Sequence, residues 1–172
     1  RYVIFSCSLN PDSLSYVLAS FLHKKLEVNN KGTLINLLKT PLPMCNGGNS
    51  FNDPNVKLIQ NALENADGVV ICTPIYNYNV NSCCKSLIEH GSNFFQEKVF
   101  GFACAAGGTH SYMSLMPTVN SLMLDYRCII LPSFLYATGE DFENQAIKNP
   151  DIIERSTLFS QEFSKLTQAV SS

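Results

Sequence analysis

The stretch Ser6-Cys7-Ser8-Leu9-Asn10-Pro11-Asp12-Ser13-Leu14-Ser15 is the part of this sequence best equipped for chemistry. The hydroxyls of Ser8, Ser13 and Ser15 and the amide of Asn10 are neutral donors suited to anionic oxygens. An apolar run precedes them and helical spacing follows, so the stretch carries the chain from a strand into a helix. A helix start, here at Leu14 and Ser15, offers unpaired N–H groups and the positive end of the helix dipole. Together these features predict a phosphate site. Plain capping by Asp12 or Ser13 is the simpler reading of the same residues, but it needs one of them rather than the whole set. A carboxylate at Asp12 would repel a phosphate, so it must face away, as a cap would. The turn is neither G-x-G-x-x-G nor a Walker motif, which argues against dinucleotide binding or NTP hydrolysis here.

Two further segments carry suitable residues. Thr73 to Lys85 opens on Pro74-Ile75-Tyr76-Asn77-Tyr78, aromatic and amide side chains that suit a flat ring with polar edges. A loop that merely covers the core reads the same way. Its Cys83 and Cys84 are adjacent and cannot easily bond each other, so they read as buried thiols at a helix start. Ala106-Gly107-Gly108-Thr109-His110-Ser111 lets backbone approach a ligand closely at the two glycines, or simply turns. His110 is a candidate contact to a ring or proton donor, and equally a surface residue. There is no G-x-S-x-G elbow, no H-E-x-x-H and no paired-carboxylate signature, as expected if a cofactor carries the chemistry.

The elements that must position these loops alternate. Tyr2–Phe5, Thr33–Leu37, Gly68–Cys72, Val99–Ala105 and Cys128–Leu131 are short apolar runs without polar alternation, and read as buried parallel strands. Pro74 is expected to stop the third, with loop from Ile75 to Asn81. Leu14, Val17, Leu18, Phe21, Leu22 and Leu26 form a helical stripe. Further helices are expected from Asn55, and over about 82–95, 111–126 and 151–169. A breaker-rich loop holds Pro41, Pro43, Gly47, Gly48 and Pro54. Strand–helix alternation predicts an α/β three-layer sandwich with a five-stranded parallel sheet in the order 2-1-3-4-5. Residues 1–172 read as a single domain. Ligands of such sheets bind at the carboxyl ends of the strands, where the three loops converge.

Composition bounds the reading. The 172 residues are 45% hydrophobic and 15% charged, which favours a packed core over disorder. A net charge of −2 leaves no basic excess for a nucleic-acid partner, although one phosphate needs only a local site. Seven cysteines without C-x-x-C or zinc spacing, several of them in apolar runs, suit a reducing cytoplasmic location. No stretch approaches the roughly 20 apolar residues of a membrane span.

Taken together, the three loops resemble the NADPH-dependent FMN reductase family, a flavodoxin-like group that includes quinone, chromate and azo reductases. Its glycine-serine-leucine-arginine turn, with a serine three residues later, is similar to Cys7-Ser8-Leu9-Asn10 followed by Ser13. Its proline-glutamate-tyrosine-asparagine segment resembles Pro74-Ile75-Tyr76-Asn77, and its leucine-lysine-asparagine resembles Cys84-Lys85-Ser86. Pro41-Leu42-Pro43 and Gly107-Gly108 match in place and order. The chain departs from the pattern at Cys7, Asn10 and Ile75, where the family carries glycine, arginine and glutamate. The resemblance implies that the FMN phosphate sits on Ser8, Asn10, Ser13 and Ser15 beside Leu14. It places the isoalloxazine ring against Pro74, Ile75, Tyr76, Asn77 and Tyr78 and against Ala106, Gly107, Gly108 and His110. It also implies NADPH or NADH as electron donor, a quinone, free flavin or other small-molecule acceptor, and a homodimer or homotetramer. Two other functions fit the same residues: an FMN electron carrier that docks protein partners, and a member that has lost its flavin.

Overall fold

Apolar runs bounded by breakers become strands, and amphipathic segments become the helices that cover them. The computed structural model describes residues 1–171. In chain order the elements are β1 (Tyr2–Ser6), α1 (Leu14–Glu27), β2 (Gly32–Asn36), α2 (Pro54–Glu64), β3 (Gly68–Tyr76), β4 (Asn79–Val80) and α3 (Ser82–Gly91). They continue with β5 (Val99–Ala106), α4 (Met116–Tyr126), β6 (Ile129–Ile130), β7 (Leu135–Thr138), β8 (Phe142–Glu143), β9 (Ala146–Ile147) and α5 (Pro150–Ser171). The main sheet is parallel, in the order β2-β1-β3-β5-β6. Phe5 lies between Ile35 and Ile71, and Ile71 in turn beside Phe102. α1 and α5 pack Leu18, Leu22, Phe159 and Phe163 over Ile4, Val70 and Ala103 on one face. On the other, α2, α3 and α4 pack Ile59, Leu63, Leu87, Val119 and Leu122 over Phe5, Ile71 and Phe102. This is the flavodoxin-like three-layer arrangement, and the 2-1-3-4-5 succession holds across it.

The strand count differs from five. The sheet has seven strands: the fifth position is divided, with β6 and then β7 both pairing with β5 across a break at Pro132, and β4 adds a seventh by pairing antiparallel with the end of β3. Only Ile129 and Ile130 of the expected Cys128–Leu131 strand join the ladder, and Leu135–Thr138 supplies the rest. Nor does Pro74 end the third strand. Cys7 N–H donates to the Cys72 carbonyl at 2.8 Å, so Cys72 faces β1. Pro74, two residues on, faces the same side beyond the end of β1, and the Cys7 carbonyl that its missing N–H would have served accepts Asn81 Nδ2 instead. β3 therefore runs on to Tyr76 and turns back on itself as a hairpin with β4. Asn77 (φ 51°) and Tyr78 (φ 58°) form its two-residue turn. A second short hairpin, β8–β9, follows the sheet.

Helix ends shift as well. The segment 82–95 is α3 followed by a 3-10 turn at Ser92–Phe95, and the fourth helix begins at Met116 after a 3-10 stretch, Thr109–Leu115. Pro117 sits in the first turn of α4, where its missing N–H costs nothing. In α5, Ile152, Phe159 and Phe163 are buried, whereas Leu158 stays half exposed.

Candidate functional site at the carboxyl edge of the sheet

The phosphate-loop candidate leaves β1 at Ser6 and enters α1 at Leu14. Of the two possible caps the structure uses Ser13, whose Oγ accepts the Tyr16 N–H at 3.2 Å. Asp12 is exposed, and its carboxylate makes no hydrogen bond or ion pair among the described residues. Ser8 Oγ accepts the Asn10 N–H at 3.2 Å, and Asn10 Oδ1 accepts the Asp12 N–H at 2.9 Å. Ser13 and Ser15 share a hydrogen bond of 2.8 Å between their hydroxyls. The loop thus spends its side-chain oxygens as acceptors on its own backbone and keeps its protons. Ser8 still has its O–H to give, the Ser13–Ser15 pair has one, and Asn10 has its Nδ2 hydrogens. Leu14 packs its side chain into the core, and its N–H and that of Ser15, at the first two helical positions, have no intrahelical acceptor.

Ser8, Ser13 and Ser15 are nearly buried, at 3%, 6% and 1% exposure. Ser6 Oγ, at the end of β1, is fully buried and has no hydrogen-bond partner among the described residues. Buried donors in excess of their internal acceptors are what a bound anion satisfies, so the cradle fits a phosphate. It does so without a cation: the segment 6–15 contains no lysine or arginine.

The ring-side residues gather elsewhere on the same edge. Ile75, Asn77, Tyr78, Gly108, His110 and Ser111 line a cleft of about 340 Å³. The β4 arm of the hairpin lies against the Thr109–Leu115 stretch, which brings the two loops together. Tyr78 is 68% exposed and held at φ 58°, a left-handed conformation that costs a bulky residue about 1–3 kcal/mol. Neither Gly107 nor Gly108 has a positive φ, and a Cβ built on either meets nothing within 4 Å. The chain itself does not require glycine there, so the room is available to something outside it. Pro74 and Ala106 are buried in β3 and β5 and form the floor of the edge rather than the wall of the cleft. Tyr76 is exposed beside the cleft without lining it. A larger hollow of about 480 Å³, with Arg1, Lys31 and Asn65 in its lining, lies at the opposite, amino-terminal edge, where helices end and their negative poles face out.

Two positions went unread in the sequence. Asn81 caps α3 by accepting the Cys84 N–H at 3.0 Å, and its Nδ2 donates to the Cys7 carbonyl at 2.6 Å. It ties the phosphate loop to the ring-side segment, and the signal for it was an asparagine just before a helix. Tyr136 reaches the glycine loop from β7; the apolar run Phe134–Ala137 after Pro132 was its signal. Beneath the loops, Cys7, Cys72, Cys83, Cys84 and Cys104 are buried. Burial pushes the Cys83 thiol up to about 12, with Cys84 adding to it, and raises Cys7, Cys72 and Cys104 as well. These thiols are inert packing rather than nucleophiles. No metal-holding group of His, Cys, Asp and Glu occurs among the described residues.

The fold and this edge define a flavodoxin-like α/β protein with an anion cradle beside an open cleft. Residues 1–143 match the family model for NADPH-dependent FMN reductase, and the chain belongs to that family. An NADPH azoreductase from Bacillus sp. (strain OY1-2) is 33% identical over 95 residues, covering 54% of this chain and 51% of that protein. The chain thus spans about half the length of the curated relative it matches. Among solved structures, the flavoenzyme NAD(P)H:(acceptor) oxidoreductase FerB from Paracoccus denitrificans superposes with a TM-score of 0.79 at 18% identity, over 98% of this chain and 97% of that one. An FMN-dependent NADH-azoreductase from Bacillus anthracis str. Ames Ancestor, in complex with FMN, gives 0.63 at 13% identity, over 96% and 99%. At these identities the structural likenesses speak for the fold. No helix among the described residues is long and apolar enough to cross a membrane.

Proposed function

We propose that this chain is an NAD(P)H oxidoreductase that holds FMN at the carboxyl edge of its sheet and passes electrons from NADPH or NADH to a quinone, an azo compound or free flavin. The observation that carries the reading is one sheet edge with two complementary features. One is a nearly buried cradle of neutral donors (Ser8, Ser13, Ser15); the other is an open cleft between Tyr78 and the unencumbered Gly107-Gly108 backbone. Membership of the family makes FMN the cofactor and a nicotinamide the donor.

FMN held there would supply the redox chemistry, hydride uptake from a nicotinamide and electron delivery to a second small molecule. The protein's part is placement. Ser8, Ser13, Ser15 and the N–H groups of Leu14 and Ser15 bind the phosphate, with Asn10 Nδ2 as a further donor. Ile75, Asn77 and Tyr78 on one side and Gly108 and His110 on the other orient the ring. The cleft between Tyr78 and Gly108 would leave room for donor and acceptor in turn, without a separate nicotinamide fold. A homodimer or homotetramer in the cytoplasm, with residues 1–172 acting as one domain, completes this reading.

The test is direct. Protein mixed with FMN and separated from free flavin should be yellow, bleach with NADPH under anaerobic conditions, and recolour with a quinone or azo dye. Yellow protein inert to both nicotinamides would instead support an electron carrier. Failure to retain or bind FMN would refute the reading.

A further inference from the structure

The glycine loop has little to hold it in place. Gly107, Gly108, Thr109 and His110 are exposed, and nothing packs where a Cβ of either glycine would lie. One side chain from outside the loop reaches it with hydrogen bonds. Tyr136 stands on β7 opposite Cys104, 9% exposed as a residue, its ring edge-on to that of Tyr112 with centroids 5.6 Å apart. Its hydroxyl donates to the Gly108 carbonyl and lies 2.7 Å from Ser111 Oγ. A phenol has one proton. With that proton given to Gly108, the second bond must run the other way, from Ser111 O–H to the Tyr136 oxygen. The hydroxyl therefore clamps both ends of the segment Gly108–Ser111.

The clamp also sets a direction. A trans peptide places its N–H opposite its C=O. Turning the Gly108 carbonyl toward Tyr136 turns the Thr109 N–H away from β7. Packing against Tyr112 and the core requires only the ring, which phenylalanine would supply equally. The hydroxyl is additional, and both of its partners line the cleft.

We propose that Tyr136 is a positioning residue for the ring-side half of the site: its hydroxyl orders the Gly108–Ser111 segment so that its backbone meets the edge of a bound flavin ring. This rests on the proposed FMN reading. Tyr136→Phe keeps the ring and removes the clamp; Ser111→Ala, in a partly exposed loop position, removes one bond and spares the core. Loss of a net hydrogen bond should weaken both FMN and riboflavin about three- to tenfold in fluorescence-quenching titrations. Because the lesion is on the ring side, the ratio of the two affinities should stay unchanged. The visible bands of the bound flavin should shift at saturation, which a merely structural loosening would not cause. Hydrogen exchange at Gly107–Ser111 should accelerate in the flavin-free protein, with the thermal midpoint nearly unmoved. Unchanged flavin affinity and spectrum in Tyr136→Phe, with wild type binding normally, would overturn this proposal alone. A wild type that binds neither flavin would overturn the functional reading and this proposal with it.

Discussion

Replacing Ser8 and Ser13 together by alanine separates a phosphate cradle from an ordinary helix cap. Ser8 is 3% exposed, and among the described residues its hydroxyl accepts the Asn10 N–H at 3.2 Å. Ser13 has two duties, capping Tyr16 N–H and sharing a hydrogen bond with Ser15. A hydrogen bond to a charged group contributes about 1.5–3 kcal/mol, which corresponds to roughly 10- to 150-fold in affinity. The two serines act on one anion and will not add cleanly, so the lower figure is the safe bound for the pair. Losing the Ser13 cap separately costs about 1 kcal/mol of stability, or about 2–4 °C in thermal midpoint for a chain of this size. The double variant should therefore fold, melt slightly earlier, and bind FMN at least about tenfold more weakly. Riboflavin, which lacks the phosphate, should lose less than about twofold on the same scale. Titration by flavin fluorescence quenching at a temperature well below both midpoints gives the two affinities. Equal losses for FMN and riboflavin, or none for either, would show that the loop does not hold phosphate.

Other outcomes follow from individual contacts. Asn10→Arg puts a cation into a cradle that has none, and should tighten FMN by about 5- to 100-fold at low salt, less at high salt; a gain that ignores ionic strength would count against a phosphate there. In Gly101→Ala the new Cβ would lie 2.6 Å from Phe159 Cζ and 3.2 Å from Phe163 Cδ2. Those rings stack at 6.2 Å and have little freedom, so scanning calorimetry should show a loss of about 1–3 kcal/mol. Gly107→Ala, which meets nothing, should leave the midpoint in place. Burial alone would raise the Asp141 carboxyl, but hydrogen bonds from Thr138 N–H, Asn149 Nδ2 and Thr138 Oγ1, with Arg155 nearby, hold it below the usual carboxylate value. Its stabilisation is complete above the unfolded carboxylate pKa and fades as pH falls through the lowered folded value. Wild type should accordingly lose more stability between about pH 5 and pH 2 than Asp141→Asn does.

What the sequence determined by itself was local. Unalternating runs such as Tyr2–Phe5 and Gly68–Cys72 marked buried parallel strands, because a strand covered on both faces has no polar side to show. The stripe of α1 located its buried face, and the hydroxyl-rich turn between β1 and α1 identified itself by residue type alone. The tertiary structure decided whatever depended on a partner distant along the chain. Pro74 remains in β3 because β1 ends beside it, a fact absent from the proline's own neighbourhood. β7 exists because Leu135–Thr138 finds the free upper half of β5 after Pro132 interrupts β6. For the candidate site the same division holds. Gly107 and Gly108 were legible as a turn, but that their space is open outward required the coordinates. Likewise, Tyr136 and Asn81 hold the loops together through hydrogen bonds to Gly108, Ser111 and Cys7, and composition and periodicity say nothing of such long-range pairings. A repeat in the chain reports which face is buried; only the closed sheet brings residue 136 to the carbonyl of residue 108.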